Sequence, residues 1–459
     1  MAARFKAIIV GTGQAGPPLA ARLSQAGMKV AVVERSLFGG TCVNTGCIPT
    51  KTLVASAYAA HMARRAAEYG VEIDGPINVD TKRVKARKDE ISGRSKAAVE
   101  KWVRGLANAT VYQGHARFES PRTMRVNDQL LEAEKIFINV GGRALVPPIP
   151  GLDQVPYLTN SSMMDVDFLP EHLIVIGGSY IGLEFGQMYR RFGANVTIVE
   201  KTARLIGRED EDVSRAVQEI LEAEGIQIRT KAECMSVKKD GERIVVGLDC
   251  GEGSRQVAGS HLLLAVGRVP NTDDLGLEKA GVETDKDGYI KVDDQLRTNV
   301  PGIWALGDCN RKGAFTHTAY NDYEIVAANL LDNDPRKVSD RIMTYALFID
   351  PPLGRAGMTE AEVKTSGRKA LVATRPMTLV KRAVEKGEAQ GFMKVVVDAQ
   401  TKQILGAAIL GVTGDEVIHL LLDAMVAKAP YTTISRAMHI HPTVSELVPT
   451  LLQDLKPLA

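Results

Sequence analysis

Apolar and polar positions follow one another in blocks along the chain, and the first block has the order strand, helix, strand. An apolar run over 5–10 predicts a buried strand, a helical pattern follows to about residue 26, and a second strand ends at Glu34. The turn after the first strand reads Gly11-Thr-Gly-Gln-Ala-Gly16. Glycines at this spacing admit a pyrophosphate to the helix N-terminus, and the acid about 20 residues later accepts from ribose hydroxyls. The block predicts a dinucleotide-binding unit that uses Gly11, Gly13, Gly16 and Glu34.

The same pattern returns in the middle of the chain and predicts a second dinucleotide site. An apolar run over 173–176 is followed by Gly177-Gly-Ser-Tyr-Ile-Gly182, a helical stretch to residue 192, a strand over 195–199 and Glu200. Ser179 stands where the middle glycine of the pattern belongs, and we expect the site to work because serine is small and can hydrogen-bond a phosphate. Glu200 would accept from a free ribose 2′-OH and repel a 2′-phosphate, which favours NADH over NADPH. Lys201 and Arg204 weaken that preference.

The composition narrows the class of protein without naming its chemistry. The chain has 459 residues, 45% of them hydrophobic and 24% charged, which is typical of a soluble globular protein with two to four domains. A net charge of +2 gives no reason to expect a nucleic-acid partner, and the basic run 82–104 contains acids, so it predicts the solvated face of a long helix. We find no signal peptide and no membrane-spanning run. With five cysteines, the chain is expected in the reducing cytoplasm.

Two cysteines lie close together after the first nucleotide unit, in the segment Gly39-Gly-Thr-Cys-Val-Asn-Thr-Gly-Cys-Ile-Pro-Thr-Lys51. The alanine-rich run over 52–67 predicts a helix that begins near Cys47, and a helix N-terminus stabilises a thiolate. Two buried structural cysteines or half of a metal site remain alternatives. Zinc knuckles use shorter spacing and a second ligand pair, which does not follow here. We therefore favour a redox-active pair, Cys42 and Cys47.

This cysteine segment resembles the active-site motif of the flavin-dependent pyridine nucleotide-disulfide oxidoreductases, which include dihydrolipoamide dehydrogenase, glutathione reductase and mercuric reductase. The segments 11–17 and 204–213 look most like the mercuric-reductase-like branch, and the resemblance extends over nearly the whole chain. It implies an α/β fold with two Rossmann-like dinucleotide-binding domains, for FAD and NAD(P), and a C-terminal α+β dimerisation domain. The expected limits are 1–150 and 273–338 for the FAD domain, 151–272 for the NAD(P) domain and 339–459 for the interface domain of a homodimer.

The resemblance also implies roles for single residues around the cofactors. It assigns FAD to Gly11, Gly13, Gly16, Glu34, Gly40, Thr41, Lys51, Gly141, Gly307 and Asp308, and NAD(P) to Gly177, Ser179, Tyr180, Gly182, Glu200 and Gly267. It further implies a Cys42/Cys47 disulfide in which Cys47 lies nearer the isoalloxazine and Cys42 exchanges with substrate. Lys51 and Glu184 would form an ion pair beside the flavin. Tyr180 would cover the flavin until the nicotinamide arrives, although an ordinary packing role is the alternative.

A second catalytic segment is expected near the end of the chain, at His439-Ile-His-Pro-Thr-Val-Ser-Glu446. Taken alone, two histidines at this spacing could share a metal ion, but further ligands are absent nearby and we expect no metal. The segment resembles the acid/base motif of the disulfide reductases, which implies that His441 serves the active site of the partner subunit and that Glu446 orients it. Imidazole suits proton exchange with a thiol because both titrate near neutral pH.

Together these residues predict a reductase that passes electrons from NAD(P)H through FAD to the cysteine pair and on to a disulfide or another soft oxidant. Mercuric reductases end in a vicinal cysteine pair and have a tyrosine in place of His441, whereas this chain ends Leu451-Leu-Gln-Asp-Leu-Lys-Pro-Leu-Ala459. A mercuric reductase without that pair, a dihydrolipoamide dehydrogenase subunit of a larger complex, and an NADH oxidase or diaphorase remain alternatives.

Overall fold

Parallel strands alternate with helices in the first two thirds of the chain, and antiparallel strands dominate the last third. The computed structural model describes residues 2–250 and 254–458. Its strands are β1 (Ala3–Val10), β2 (Val30–Glu34), β3 (Ala109–Gln113), β4 (Ala116–Ser120), β5 (Thr123–Val126), β6 (Gln129–Ile138), β7 (Gly142–Ala144), β8 (His172–Ile176), β9 (Asn195–Val199), β10 (Gln227–Arg229), β11 (Ala232–Asp240), β12 (Arg243–Cys250), β13 (Gln256–Gly259), β14 (His261–Leu264), β15 (Arg268–Pro270), β16 (Ile303–Ala305), β17 (Thr344–Leu347), β18 (Leu353–Gly357), β19 (Ala370–Pro376), β20 (Phe392–Asp398), β21 (Ile404–Leu410) and β22 (Lys456–Pro457). Its α-helices are α1 (Gly16–Gln25), α2 (Gly40–Asn44), α3 (Cys47–Arg64), α4 (Thr81–Arg104), α5 (Tyr180–Phe192), α6 (Glu211–Ala223), α7 (Leu277–Ala280), α8 (Thr316–Ala327), α9 (Glu360–Thr365), α10 (Lys381–Glu385), α11 (Gly414–Val426), α12 (Thr432–Ser435) and α13 (Val448–Leu451).

The first sheet forms the first nucleotide fold. Strand β1 pairs in parallel with β2 on one side and β6 on the other, and β16 joins β6 from a distant part of the chain. All of β2 and the last four residues of β1 are buried because apolar side chains cover both faces of this sheet. The carboxyl ends of parallel strands share one edge, so the turns after β1, β6 and β16 meet there.

The second nucleotide fold has its own parallel sheet, in the order β10-β9-β8-β14. Helix α5 packs on it with most of its residues buried, and the antiparallel strands β11, β12 and β13 form a separate sheet beside it. Strands β7 and β15 pair antiparallel and connect the two nucleotide folds, with Gly142 opposite Pro270. The two parallel sheets agree with the predicted pair of Rossmann-like units, while the domain limits remain a prediction.

The C-terminal third forms a six-stranded antiparallel sheet in the order β17-β18-β21-β20-β19-β22. All of β21 and the last six residues of β20 are buried, since α11 and α13 pack against the sheet. Strands β20 and β21 pair antiparallel, and the C-terminal third has the α+β character expected of the interface domain.

The helices that matter most for the site begin where the sequence predicts. Helix α1 carries prolines in its first turn, where a missing N–H costs least. Helix α3 begins at Cys47, and the basic run forms α4, whose N-terminus is capped by the Asp80 carboxylate accepting from the Arg83 N–H at 3.0 Å. Within residues 2–250 and 254–458, no helix has the length and apolarity needed to cross a membrane.

Candidate active site

A cleft of about 2360 Å³ is lined by both nucleotide folds and by the cysteine pair. Its walls include most residues that the sequence singles out: Gly11, Gly13, Glu34, Gly40, Thr41, Cys42, Cys47, Lys51, Gly141, Gly177, Ser179, Tyr180, Glu184, Glu200, Gly267, Gly307 and Asp308. Gly16 and Gly182 lie behind these walls in α1 and α5, and His441 and Glu446 lie outside the cleft.

The turn after β1 has no room for side chains at two of its glycines. Gly11 has a φ of 102°, and a Cβ there would lie 2.3 Å from the Asn139 carbonyl oxygen at the end of β6. A Cβ at Gly16 would lie 2.2 Å from the Gly11 carbonyl oxygen. Helix α1 therefore packs closely against the turn, and the Gly16 N–H donates to the Gly13 carbonyl oxygen at 2.9 Å. Pro17 and Pro18 have no N–H, so a pyrophosphate here would be contacted by the backbone of the turn that lines the cleft.

Glu34 is held rigidly at the end of β2. Its Oε2 accepts from the Thr12 N–H at 2.9 Å and from the Thr12 hydroxyl at 2.7 Å, and its Oε1 accepts from the Ser36 N–H at 2.9 Å. A carboxylate in this place is the partner that a nucleotide ribose needs. The glycine turn and the Glu34 carboxylate fit the ADP half of FAD.

The second turn repeats this design in the nicotinamide fold. Gly177 has a φ of 116°, and a Cβ at Gly182 would lie 2.0 Å from the Gly177 carbonyl oxygen. Ser179 has φ −117° and ψ −173°, an extended conformation that any residue adopts, and its side chain is exposed. The departure from the glycine pattern at Ser179 therefore leaves the turn intact. Glu200 accepts from the Gly178 N–H at 2.8 Å and the Thr202 N–H at 2.7 Å.

The two cysteines lie in consecutive helices, the short α2 and the long α3. Cys42 is in α2, which follows a left-handed Gly39 with a φ of 93°, and Cys47 is the first residue of α3. A Cβ at Gly46 would lie 2.9 Å from the Thr41 carbonyl oxygen, so the chain between the cysteines turns tightly. Both cysteines are half-buried free thiols in this structure.

The surroundings of Cys47 favour its thiolate. Hydrogen bonding from Cys42 lowers the pKa of Cys47 to about 6; burial opposes this, and the Thr316 hydroxyl and the Lys51 ammonium lower it further. The Thr316 Oγ1 lies 2.9 Å from the Cys47 Sγ. The pKa of Cys42 is raised, first by its hydrogen bond to Cys47 and then by burial. The pair therefore ionises first at Cys47, at the N-terminus of α3.

An ion pair joins the helices that carry the two halves of the site. Lys51 Nζ in α3 lies 2.6 Å from Glu184 Oε2 in α5. The other oxygen of Glu184 accepts from the Phe348 N–H at 3.0 Å, and the ammonium lies 4.5 Å from the centre of the Phe348 ring. The expected Lys51–Glu184 pair is present, and it also contacts the C-terminal part of the chain.

Tyr180 is the first residue of α5 and lines the cleft. Its ring packs edge-on against Phe315, with ring centres 5.8 Å apart, and against Tyr345 at 5.4 Å. Burial raises the pKa of Tyr180 to about 12, so its hydroxyl is protonated at neutral pH. An aromatic ring therefore stands at the start of the nicotinamide helix and faces the cleft.

Asp308 lies where the strands β6, β7, β15 and β16 converge. Burial raises the pKa of its carboxyl group, and Arg268, whose Nε lies 3.5 Å away, opposes that shift. The Arg268 Nε is buried and has no hydrogen-bond partner. Gly141, Gly267 and Gly307 have positive φ values and line the cleft near this pair. A buried acid beside an unsatisfied donor fits a polar chain such as the ribityl group of FAD.

His441 and Glu446 form a pair on the surface of this chain. His441 Nδ1 lies 2.9 Å from Glu446 Oε2 and 3.0 Å from Oε1, and the histidine side chain is 72% exposed. The residues beside it, Met438 and Ile440, are 98% and 78% exposed. The chain therefore does not bring its own His441 to its cysteine pair.

Sequence reasoning missed several residues that the structure brings to the site. Thr316 contacts Cys47, Asn139 lies against the first glycine turn, and Tyr345 and Phe348 contact Tyr180 and Lys51. Thr316 comes shortly after the Gly307-Asp308 pair, and a polar side chain at that place could have marked it as a candidate site residue. No comparable pattern marks Tyr345 and Phe348, which reach the site from the C-terminal part of the chain.

Two dinucleotide folds that share one cleft with a cysteine pair define a flavin-dependent reductase architecture. The model of the pyridine nucleotide-disulphide oxidoreductase family matches residues 5–322, and the model of its dimerisation domain matches residues 343–452. The chain belongs to the pyridine nucleotide-disulphide oxidoreductase family. It is therefore an FAD-dependent oxidoreductase that uses NAD(P)H, and the predicted fold class, enzyme class and cofactors are confirmed.

Similar proteins span almost the full chain. The chain is 35% identical to the probable pyridine nucleotide-disulfide oxidoreductase RclA of Escherichia coli (strain K12), over 99% of this chain and 100% of RclA. It is 34% identical to the mercuric reductase of Streptomyces lividans, over 95% of this chain and 93% of that enzyme. The Cu(II) complex of the HOCl-induced flavoprotein disulfide reductase RclA from Escherichia coli superposes with a TM-score of 0.89 at 34% identity, covering 97% and 99% of the two chains.

Proposed function

We propose that this enzyme passes electrons from NAD(P)H through FAD to the Cys42/Cys47 pair and from there to a disulfide or another soft oxidant. The observation that carries the proposal is one cleft that joins both nucleotide turns to two half-buried thiols, one with a pKa near 6. FAD, when bound, takes a hydride from the nicotinamide and delivers two electrons to a disulfide.

In this proposal the two cysteines have different tasks. Cys42 attacks one sulfur of the substrate disulfide, which releases the other half as a thiol and leaves a mixed disulfide on Cys42. The Cys47 thiolate then attacks Cys42, which releases the second thiol and closes the Cys42–Cys47 disulfide. Two thiols of the protein become one disulfide, and one substrate disulfide becomes two thiols.

Proton transfer in this cycle is assigned to His441 of the partner subunit in a homodimer. Support comes from the match to the family's dimerisation domain and from the exposed position of the His441–Glu446 pair beside apolar surface. Glu446 holds the imidazole at Nδ1, which leaves Nε2 free to take a proton from Cys42 and return it to a leaving thiolate.

We place the enzyme in the cytoplasm, where thiols are kept reduced.

The preferred nicotinamide donor is proposed to be NADH. Both oxygens of Glu200 accept backbone N–H groups, so the carboxylate is fixed at the end of β9. Arg204, one of the cations that would attract a 2′-phosphate, donates to the carbonyl groups of Gly207 and Glu209 at 3.2 Å. A fixed carboxylate and an engaged guanidinium both disfavour a phosphate on the ribose.

A thiophilic metal ion is a second candidate for the electron acceptor. The RclA relative was solved as a Cu(II) complex, and this chain has two thiols on an open cleft. Two Cu(II) ions could each take one electron from the Cys42/Cys47 dithiol, giving two Cu(I), one disulfide and two protons. Soft thiolate ligands favour Cu(I), the product of that step.

An anaerobic titration with NADH, then NADPH, tests the proposed relay. We expect a long-wavelength band from the Cys47 thiolate and flavin after two electrons, and a panel of glutathione disulfide, lipoamide, Cu(II) and Hg(II) then identifies the acceptor. Flavin bleaching without that band would remove the cysteines from the electron path and favour an oxidase. Activity only on protein-bound lipoyl groups would favour a subunit of a larger complex.

The Cys42→Ser variant separates the two cysteines in the same assay. We expect it to keep the long-wavelength band, because Cys47 remains, and to lose disulfide reduction. Cys234→Ser is the matched control, since Cys234 also lines the cleft but burial raises its pKa to about 11. Full turnover by Cys42→Ser would contradict the proposed role of Cys42.

A further inference from the structure

Tyr180 is one member of an aromatic group at the wall of the cleft. The rings of His317, Phe315 and Tyr345 stack nearly in parallel, with interplanar angles of 10° and 12° and ring centres 5.4 and 5.5 Å apart. Tyr180 meets Phe315 and Tyr345 edge-on, at interplanar angles of 88° and 81°. Edge-to-face contacts of this kind favour one ring orientation. The position of Tyr180 therefore depends on where the stack holds Tyr345.

Tyr345 is itself held by a buried ion pair. Its hydroxyl donates to Glu209 Oε1, and Glu209 Oε2 lies 3.0 Å from an Arg355 Nη. The side chains of Glu209 and Arg355 are 0% and 1% exposed. Tyr345 and Arg355 are direct partners across strands β17 and β18, so both point to the same side of the sheet. Burial, followed by the charge of Glu209, raises the pKa of Tyr345, which keeps it a donor.

The ion pair also reaches the wall that faces the nicotinamide nucleotide. Glu209 lies in the segment between β9 and α6, and the same segment carries Glu200 and Arg204, which line the cleft. Arg204 donates to the Glu209 carbonyl oxygen at 3.2 Å. A buried Glu–Arg pair is a poor source of stability, because desolvation offsets its attraction. In this structure the Glu209 carboxylate of the pair accepts from the Tyr345 hydroxyl and so holds it in place.

We propose that Tyr345, anchored by Glu209 and Arg355, is a positioning residue that sets the resting position of Tyr180 at the nicotinamide side of the cleft. The proposal rests on the proposed function and on the expectation that the Tyr180 ring covers the flavin until the nicotinamide displaces it. Tyr345 does not touch the reacting atoms in this scheme. It controls how easily Tyr180 leaves its place.

The test is Tyr345→Phe, which keeps the stacked ring and removes only the hydroxyl, together with Glu209→Gln, which keeps an acceptor and removes the charge. Each variant weakens the hydrogen bond between the Tyr345 hydroxyl and Glu209. We therefore expect NADH to displace the Tyr180 ring more easily, so that the dissociation constant for NADH falls about two- to tenfold. Flavin fluorescence of the oxidised holoenzyme should rise, because the cover is looser. The rate at which substrate reoxidises the reduced enzyme should not change.

Tyr189→Phe is the matched control. Tyr189 lies in α5, the helix that begins at Tyr180. It is buried, packs against Phe192 and does not line the cleft. Its variant should match the wild type in fluorescence and in affinity for NADH. If Tyr345→Phe and Glu209→Gln behave like Tyr189→Phe in both measurements, the positioning role is wrong.

Tyr180→Ala distinguishes a failure of the positioning role from a failure of the cover role of Tyr180, while the anaerobic titration tests the proposed electron path separately. If Tyr180→Ala changes fluorescence and NADH affinity while Tyr345→Phe does not, only the positioning role is overturned. If Tyr180→Ala is also silent, Tyr180 is not a cover and both ideas fall. If the effects of Tyr180→Ala and Tyr345→Phe are present singly but do not add in the double variant, the two residues act as one unit, as proposed.

Discussion

The Thr316 hydroxyl lies 2.9 Å from the Cys47 sulfur. Thr316 is the first residue of α8, and Cys47 is the first residue of α3, so two helix N-termini meet at one sulfur. N–H groups at helix starts and a donating hydroxyl all stabilise negative charge. The reactivity of Cys47 therefore depends on two segments that are far apart in the sequence.

Replacing Thr316 with Val should raise the pKa of Cys47 from its value near 6, because a donor to the thiolate is lost while the shape of the side chain is kept. The shift should be about one unit, the size expected for one hydrogen bond to a charged group. The fraction of thiolate grows as pH rises through the pKa, so the long-wavelength band of the two-electron-reduced enzyme should appear at higher pH in the variant. Titrating the band between pH 5 and 9 measures this.

Thr316→Ser is the control for that titration. It keeps the hydroxyl, so its band should follow the wild-type curve. Equal curves for Thr316→Val and the wild type would show that the contact with Cys47 has no electrostatic effect.

The residues that sequence reasoning located are those whose role is local. Gly11, Gly177 and the two cysteines belong to short motifs in which spacing alone defines the geometry, and the structure brings them to one cleft. Ser179 departs from the glycine motif without disturbing the turn, because its backbone is extended. The sequence motif does not reveal that conformation. Thr316 was missed because its contact joins residues 269 positions apart.

At the scale of elements, the starts of α1 and α5 determine how closely a nucleotide can approach the backbone. In α1, Gly16 packs against the carbonyl group of Gly11, the first glycine of its turn. In α5, Gly182 packs against the carbonyl group of Gly177 in the same way. This close packing keeps each turn narrow, so that the backbone of the turn can approach a bound phosphate closely. The two helices have this feature in common although their capping residues differ.

Gly182→Ala should weaken the nicotinamide site and leave the FAD site intact. The new Cβ would lie 2.0 Å from the Gly177 carbonyl oxygen, so the turn must open, at a cost of about 1–3 kcal/mol in the free energy of unfolding. We expect normal yellow protein with a higher dissociation constant for NADH, measured by titration of the flavin spectrum and by calorimetry.

Gly93→Ala is the matched control within a helix. Gly93 lies inside α4, where a Cβ would meet no atom within 4 Å. This variant should gain about 1 kcal/mol in stability and bind NADH normally. Unchanged NADH affinity in Gly182→Ala would contradict the importance of the close packing.

The elements themselves were largely predictable from periodicity, whereas the return of 273–338 to the FAD domain was expected from the family resemblance alone. Periodicity located β1, α1, β8 and α5, because each buries a regular pattern of apolar residues. The addition of β16 beside β6 joins residues from opposite sides of the nicotinamide fold, and no local pattern predicts such a pairing. The order of the C-terminal sheet is unpredictable for the same reason.

At the scale of the whole molecule, the proposed base His441 lies away from the cleft of its own chain. The His441–Glu446 pair is well formed but lies outside the cleft, and the apolar residues beside it are exposed. In a symmetric dimer each chain could give its pair to the other, so two equivalent sites would form. The family match to a dimerisation domain supports such an assembly.

Mixed dimers test this exchange. Cys42→Ser and His441→Ala homodimers should each be nearly inactive in disulfide reduction. When the two chains are co-expressed in equal amounts, half of the dimers are mixed and one site in each has both residues, so about a quarter of wild-type activity should return. Mixed dimers purified through two different tags should show half. No recovery would mean that both residues act within the same chain.

The Lys51–Glu184 pair has a consequence for how the enzyme turns over. It joins α3, which begins at the sulfur of Cys47, to α5, which begins at Tyr180, and Phe348 secures the pair from the C-terminal sheet. The strands β7 and β15 join the two nucleotide folds at a second place. Because the ion pair ties the start of α3 to the start of α5, the distance between the Cys47 sulfur and the Tyr180 ring should stay nearly constant while nucleotide binds and leaves.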